Sequence, residues 1–337
     1  MTSHDRRQQT KAVVSPARSL TAIGAVLAAV CVLAPPGTAG TPGTPGTPGT
    51  PGTPELRPVA ASRPVADPAQ GAYWHTRTLW TSVHPRKMGS GSDRYEVEER
   101  HVYETWVAPG GKQWSGFRRL GTRPKSPADD RAWRRDGSPA TWNRSADGMT
   151  VVLSTRPDKG RVGAAKGRSD AFHVAGQQLS YEELQRLPAD PAGLRGWIEK
   201  AVRVRKADPT ADVPEDAVDG HVTRTLVELL YQVPAPRGVR VAAYRALPAM
   251  PGVHARGTAK DARGRTGERL SLDHRPHPGQ KGFEQETEVI VDTGAMLLLS
   301  EGVRTTIDGK PFANKTSTEI VLHAGWTDAA PSVPALP

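Results

Sequence analysis

The chain has 337 residues, 36% of them apolar and only 5% aromatic, with 31 Pro and 34 Gly. That length holds one large domain or two ordinary ones, and the Pro and Gly content assigns a good part of it to loop or linker. The formal charge is +10, yet 33 of the 45 basic residues are Arg and no run of five like charges occurs; a nucleic-acid partner would need basic residues clustered on one element with aromatics for stacking, so nucleic acid is excluded as the expected partner.

Residues 1–18 carry Arg6, Arg7, Lys11 and Arg18 against Asp5, and residues 19–34 read SLTAIGAVLAAVCVLA, uncharged and mostly apolar. Pro35-Pro36 then ends any helix by removing backbone donors and clashing with the preceding turn. Basic residues, an apolar run and small residues in that order are an export signal, with the bulk of the chain outside. As a helix the run reaches ~24 Å, short of a ~30 Å hydrocarbon core, so a cleaved signal and a retained membrane anchor both fit. The small residues GTAG at 37–40 tip the balance towards cleavage. Arg6-Arg7 is a poor twin-arginine start, because Gln8, Gln9 and Thr10 are not apolar. Cys31, the lone cysteine, follows Ala28, Ala29 and Val30, a poor lipoprotein box. Beyond it no disulfide, Cys-metal site or cysteine nucleophile is available.

Residues 35–70 form a Pro/Gly/Thr-rich linker whose core, Thr41 to Pro54, is four Thr-Pro-Gly repeats and one Thr-Pro. Pro at every third position favours extended polyproline II and Gly softens it; fourteen such residues reach at most ~43 Å. On an anchored chain this spacer lifts the body clear of the membrane.

The body is expected over 71–328, with 329–337 as a tail. GAYWHTRTLW (71–80) alternates with period two and predicts a strand. RYEVEERHVYETWVA (94–108) and GGKQWSGFRRL (110–120) predict two more, turning at Pro109-Gly110-Gly111. Residues 121–147 read as a long polar loop and MTVVLS (149–154) as a strand. Ser180 and Glu183 then form a capping box, and Asp190-Pro191 is an N-cap followed by Pro at the first helical position. Leu194, Trp197, Ile198, Ala201 and Val202 share one helical face, as do Val218, Val222, Leu226, Leu229 and Leu230; 237–247 predicts a further helix. From Val253 the period returns to two through HARGTAKDARGRTGERLSL, FEQETEVIVDTGAMLLLSEGVRTTIDG and TSTEIVLHAGW. Strands, then helices over about 180–247, then strands predict an α+β fold, a curved antiparallel sheet with its helices on one face.

Three constellations invite a chemical reading. VIVDTGA (289–295) matches the Asp-Thr-Gly heart of aspartic proteases, in which two carboxyls share a proton. A single Asp292 would need a dimer partner, and Asp and Gly equally suit a tight hairpin turn here. DHRPHPG (273–279) sets His274 and His277 three apart, but two prolines forbid the helix that spacing needs, and no carboxylates complete a ligand set, so no metal or other cofactor is expected. The eight tryptophans offer a third: Trp74, Trp80 and Trp106, with the Leu226 and Leu230 face, would line an apolar groove between sheet and helices.

Taken in order, GAYWHTRT, ETWVAPGGKQW, SYEELQRLPADPAGLRGWI, ALPAMPGV, VDTGAMLLLSEG and HAGWTD resemble an uncharacterised family of exported actinobacterial proteins known by a locus-tag name. The family has no established activity, so the resemblance implies export and no catalytic residue. The strand-helix-strand order is also similar to the half-barrel folds of bacterial lipoprotein carriers and envelope-stress sensors. The expectation is an exported, non-enzymatic envelope protein binding an apolar ligand such as a lipid, or a partner protein. The alternative is an aspartic-type hydrolase using Asp292 in a dimer.

Overall fold

The computed structural model describes residues 69–84, 86–146, 149–165, 171–204, 213–274, 282–311 and 316–337. The export signal, the Thr-Pro-Gly spacer and His277 lie outside these residues. No described helix is long and apolar enough to cross a membrane.

The strands predicted from period two are β1 (Tyr73–Val83), β2 (Val97–Val107), β3 (Gln113–Pro124), β5 (Met149–Ser154), β9 (Val253–Lys260), β10 (Thr266–His274), β11 (Phe283–Asp292), β12 (Leu297–Ile307) and β14 (Ser317–Thr327). β6 (Arg161–Ala164), the two-residue β13 (Lys310–Pro311) and the hairpin β7 (Phe172–Val174) and β8 (Gln177–Leu179) join them. One antiparallel sheet runs β6-β3-β2-β1-β14-β12-β11-β10-β9, with β13 on β12. The two strand groups, separated in sequence by all the long helices, meet where β1 pairs with β14 from Tyr73↔Thr327 to Ser82↔Ser317. The α+β class therefore stands, and the sheet is open.

The segment 121–147 corrects the expectation of a long loop. β3 extends to Pro124, α1 spans Pro127–Arg135, and β4 (Thr141–Ala146) pairs with β5. Ser126 caps α1, accepting from the Asp129 amide, and Pro127 occupies its first turn, with acids at its start and Arg134 and Arg135 at its end. These local terms suffice to start a helix of nine residues. Its apolar contribution is small, so it is held by a separate core of Met88, Tyr95, Val97, Ala132, Trp142 and Leu153. Within that core the Trp142 indole donates to the Tyr95 hydroxyl at 2.9 Å, which in turn donates to Asp136 at 2.8 Å.

The predicted helices are α2 (Tyr181–Gln185), α3 (Pro191–Arg203), α4 (Glu215–Glu228) and α5 (Arg237–Ala246). The capping box of Ser180 and Glu183 and the Asp190 cap on Gly193 are both present. Their apolar faces pack on the sheet as the main core, in which Leu184, Leu194, Ile198, Val222, Leu226, Leu230, Ala243, Leu247 and Val289 are fully enclosed.

Candidate functional site

Directly opposed residues of paired strands share a sheet face. β1 presents Trp74, Thr76, Thr78 and Trp80 to the helices: Trp74 opposes Val107 and Thr78 opposes Val321, both members of the helix-packed core. The Trp74 indole donates to the Tyr231 carbonyl just beyond α4, at 3.0 Å, and meets Trp326 edge-on at 5.7 Å. Leu226 and Leu230 lie on this same side, both fully buried. Trp80 is half-buried and stacks on His101 at 4.6 Å. Trp106 is the exception. It opposes His75, so it lies on the face turned away from the helices, parallel to the His75 ring at 4.8 Å. The five residues expected to line one groove are thus divided between two faces. On the helix side the space between Trp74 and the leucines is filled by core side chains.

The two best-formed clefts lie elsewhere. One, of about 140 Å³, sits between β2, β3 and β5 and is lined by Glu99, His101, Arg119, Leu153 and Arg156 among others. Burial, aided by Arg119, pushes the His101 imidazole down to about 4, so the ring is neutral at physiological pH. The other, of about 270 Å³, lies among Pro109, Phe172, Leu179, Tyr181 and neighbouring residues. Both fall below the usual 300–1,000 Å³ of a small-molecule site.

Beneath α4 the sheet carries a charged cluster that no sequence motif announced. Glu301 of β12 directly opposes Glu319 of β14, two acids facing the same helix. Arg224 of α4 donates to Glu301 at 2.7 Å and to Glu228 at 2.9 Å. Glu301 is 6% exposed, and its Oε2 has no hydrogen-bond partner among the described residues. Glu319 is pushed up to about 7, first by burial and then by the neighbouring Glu301, despite Arg224 and a hydrogen bond with Thr78. The Tyr231 hydroxyl is raised well above its ordinary value by burial, with Glu319 and Glu301 adding to it, and it accepts from Gln232 at 3.0 Å. Burial opposes the Arg224 charge, but Glu301 and Glu228 outweigh it, so the guanidinium stays protonated. The cluster is thus two opposed carboxyls, one of them tied to α4 by Arg224. The sequence signal available was weak: an acid closing the apolar run LLLSE (297–301).

On the opposite face His75 Nε2 and Glu104 Oε2 lie 2.7 Å apart, and Arg77 approaches Glu104 at 3.5 Å. The His75 ring is also 5.1 Å from that of His323, which burial and His75 together hold below the ordinary histidine value. Among the described residues no group of three or more His, Cys, Asp or Glu is arranged to hold a metal ion.

Asp292 sits at the end of β11, where Oδ1 accepts from the amides of Gly294 (2.8 Å) and Ala295 (3.0 Å). Thr293–Met296 are the turn, and β12 starts opposite Asp292 at Leu297. Arg237 of α5 donates to the Gly294 carbonyl at 2.9 Å, fastening this turn to the helices. The carboxylate is committed to its own hairpin. His274 ends β10. Compared with known proteins, the chain matches no family model and no curated protein.

Proposed function

We propose that this chain is an exported, non-enzymatic envelope protein of the actinobacterial type its motifs resemble, and that its body binds a partner protein outside the membrane. The observation that carries the reading is the filled interior between helices and sheet: Leu226 and Leu230, which a lipid carrier would leave lining a cavity, are fully buried in side chains. A carrier needs an apolar volume of several hundred Å³, so the recognition surfaces that remain are exterior ones. The basic N-terminus, apolar run and Thr-Pro-Gly spacer supply export and, if the run is retained, a tether. The hydrolase alternative is weakened by the Asp292 carboxylate serving two turn amides.

Photo-crosslinking on intact cells, paired with native mass spectrometry and organic extraction of the purified chain, tests this. A discrete crosslinked protein partner together with a clean apo mass is expected. A reproducible bound mass in the lipid range would overturn the partner reading in favour of a carrier.

A further inference from the structure

The last nine residues, AAPSVPALP, place Pro331, Pro334 and Pro337 three apart, the period of a polyproline II helix. They lie against the sheet face opposite the helices. In register, Arg77 of β1, Glu104 of β2 and Gly116 of β3 stand in a row across that face, with Trp106 and Arg118 beside them. Pro334 is buried while its neighbours Val333 and Leu336 are 41% and 52% exposed. Its ring and the Trp106 indole both close over Gly116: a Cβ at that glycine would lie 3.0 Å from the proline and 3.1 Å from the indole. Arg118 donates to the Pro334 carbonyl at 3.1 Å and Arg77 to the Ala335 carbonyl at 2.7 Å. Both arginines are themselves positioned, Arg118 by the Asp158 carbonyl and Arg77 by Glu104.

A groove lined by an aromatic side chain, with side-chain donors to the carbonyls of an extended segment, is how proline-rich ligands are recognised. Polyproline II leaves its own carbonyls unpaired, so each donor supplied by the groove is a gain that a helix or strand would not need. We propose that this groove of Trp106, Gly116, Arg77 and Arg118 is a docking site for Pro-x-x-Pro segments, held in cis by the chain's own tail. The ligand class is a proline-rich extended segment of a partner protein, and the tail acts as a competing occupant that must be displaced. This rests on the partner-binding reading above and gives that partner its chemistry.

The test uses the full-length chain and a fluorescein-labelled peptide of residues 329–337, followed by anisotropy. A tethered tail competes at an effective concentration of order mM, so releasing it with Pro334→Ser is expected to tighten peptide binding at least about tenfold over wild type. Gly116→Val or Arg118→Ala in the Pro334→Ser background is expected to abolish that binding. Equal binding to wild type and Pro334→Ser, no binding to either up to about 1 mM, or binding indifferent to both groove substitutions would overturn the proposal. So would a Pro334→Ser chain that fails to fold, since the tail would then be a structural seal. A negative result removes this groove alone; crosslinking on cells with the wild-type chain decides partner binding independently.

Discussion

Replacing Glu319 with Gln should stabilise the protein at alkaline pH and leave it unchanged in acid. In the fold this carboxyl rises from its ordinary 4.5 to about 7, through burial and then the opposing Glu301. A raised carboxyl pKa means the native state holds a proton that the unfolded chain gives up. The stability linked to that proton is complete below pH 4.5 and is lost as the pH climbs through about 7. At 1.36 kcal/mol per pH decade, the loss is about 3 kcal/mol by pH 8. Glutamine is the neutral isostere of the protonated acid and keeps an acceptor for Thr78, so the variant avoids the loss. For domains of 150–250 residues, ~2–4 °C per kcal/mol converts this to a Tm about 6–12 °C above wild type at pH 8. The two proteins should melt together near pH 4. Calorimetry across pH 4–8 reads the difference directly. A gap between variant and wild type that does not change with pH, or a variant less stable at pH 8, would refute the reasoning, because either outcome means the Glu319 pKa is not raised in the fold.

Two further outcomes follow from the core and the hairpin. Leu226→Ala opens a cavity in the main core where Leu226 is fully enclosed, and should cost about 2–5 kcal/mol, read as a lower urea midpoint at unchanged slope; a loss under ~1 kcal/mol would mean the interior has spare volume. Asp292→Asn keeps the Oδ1 acceptor for Gly294 and Ala295, so its stability should stay within about 0.5 kcal/mol of wild type, and any hydrolase activity found in the purified chain should survive it.

The sequence by itself determined the features whose physics is local. The capping box at Ser180, the Asp190-Pro191 helix start and the turn after Asp292 each rest on residues within four positions of one another. Periods of two and 3.6 told strands from helices, and their order fixed the α+β class. The helix α1 escaped because its signal was a cap and a proline without a long apolar face, and its support comes from Tyr95 and Trp142 at a distance. Tertiary structure decided which face each residue occupies. Period two shows that Trp74 and Trp80 share a face, but the register Trp74↔Val107 matches even positions of β1 with odd positions of β2 and sends Trp106 to the other side. A slip of one residue would have reversed that, and no local signal encodes it. The pairing of β12 with β14 sets Glu301 against Glu319 under Arg224, and the pairing of β14 with β1 brings the tail's Pro334 over Gly116 beside Trp106. The tail contacts join segments more than 200 residues apart, so they exist only once the two halves of the sheet have met.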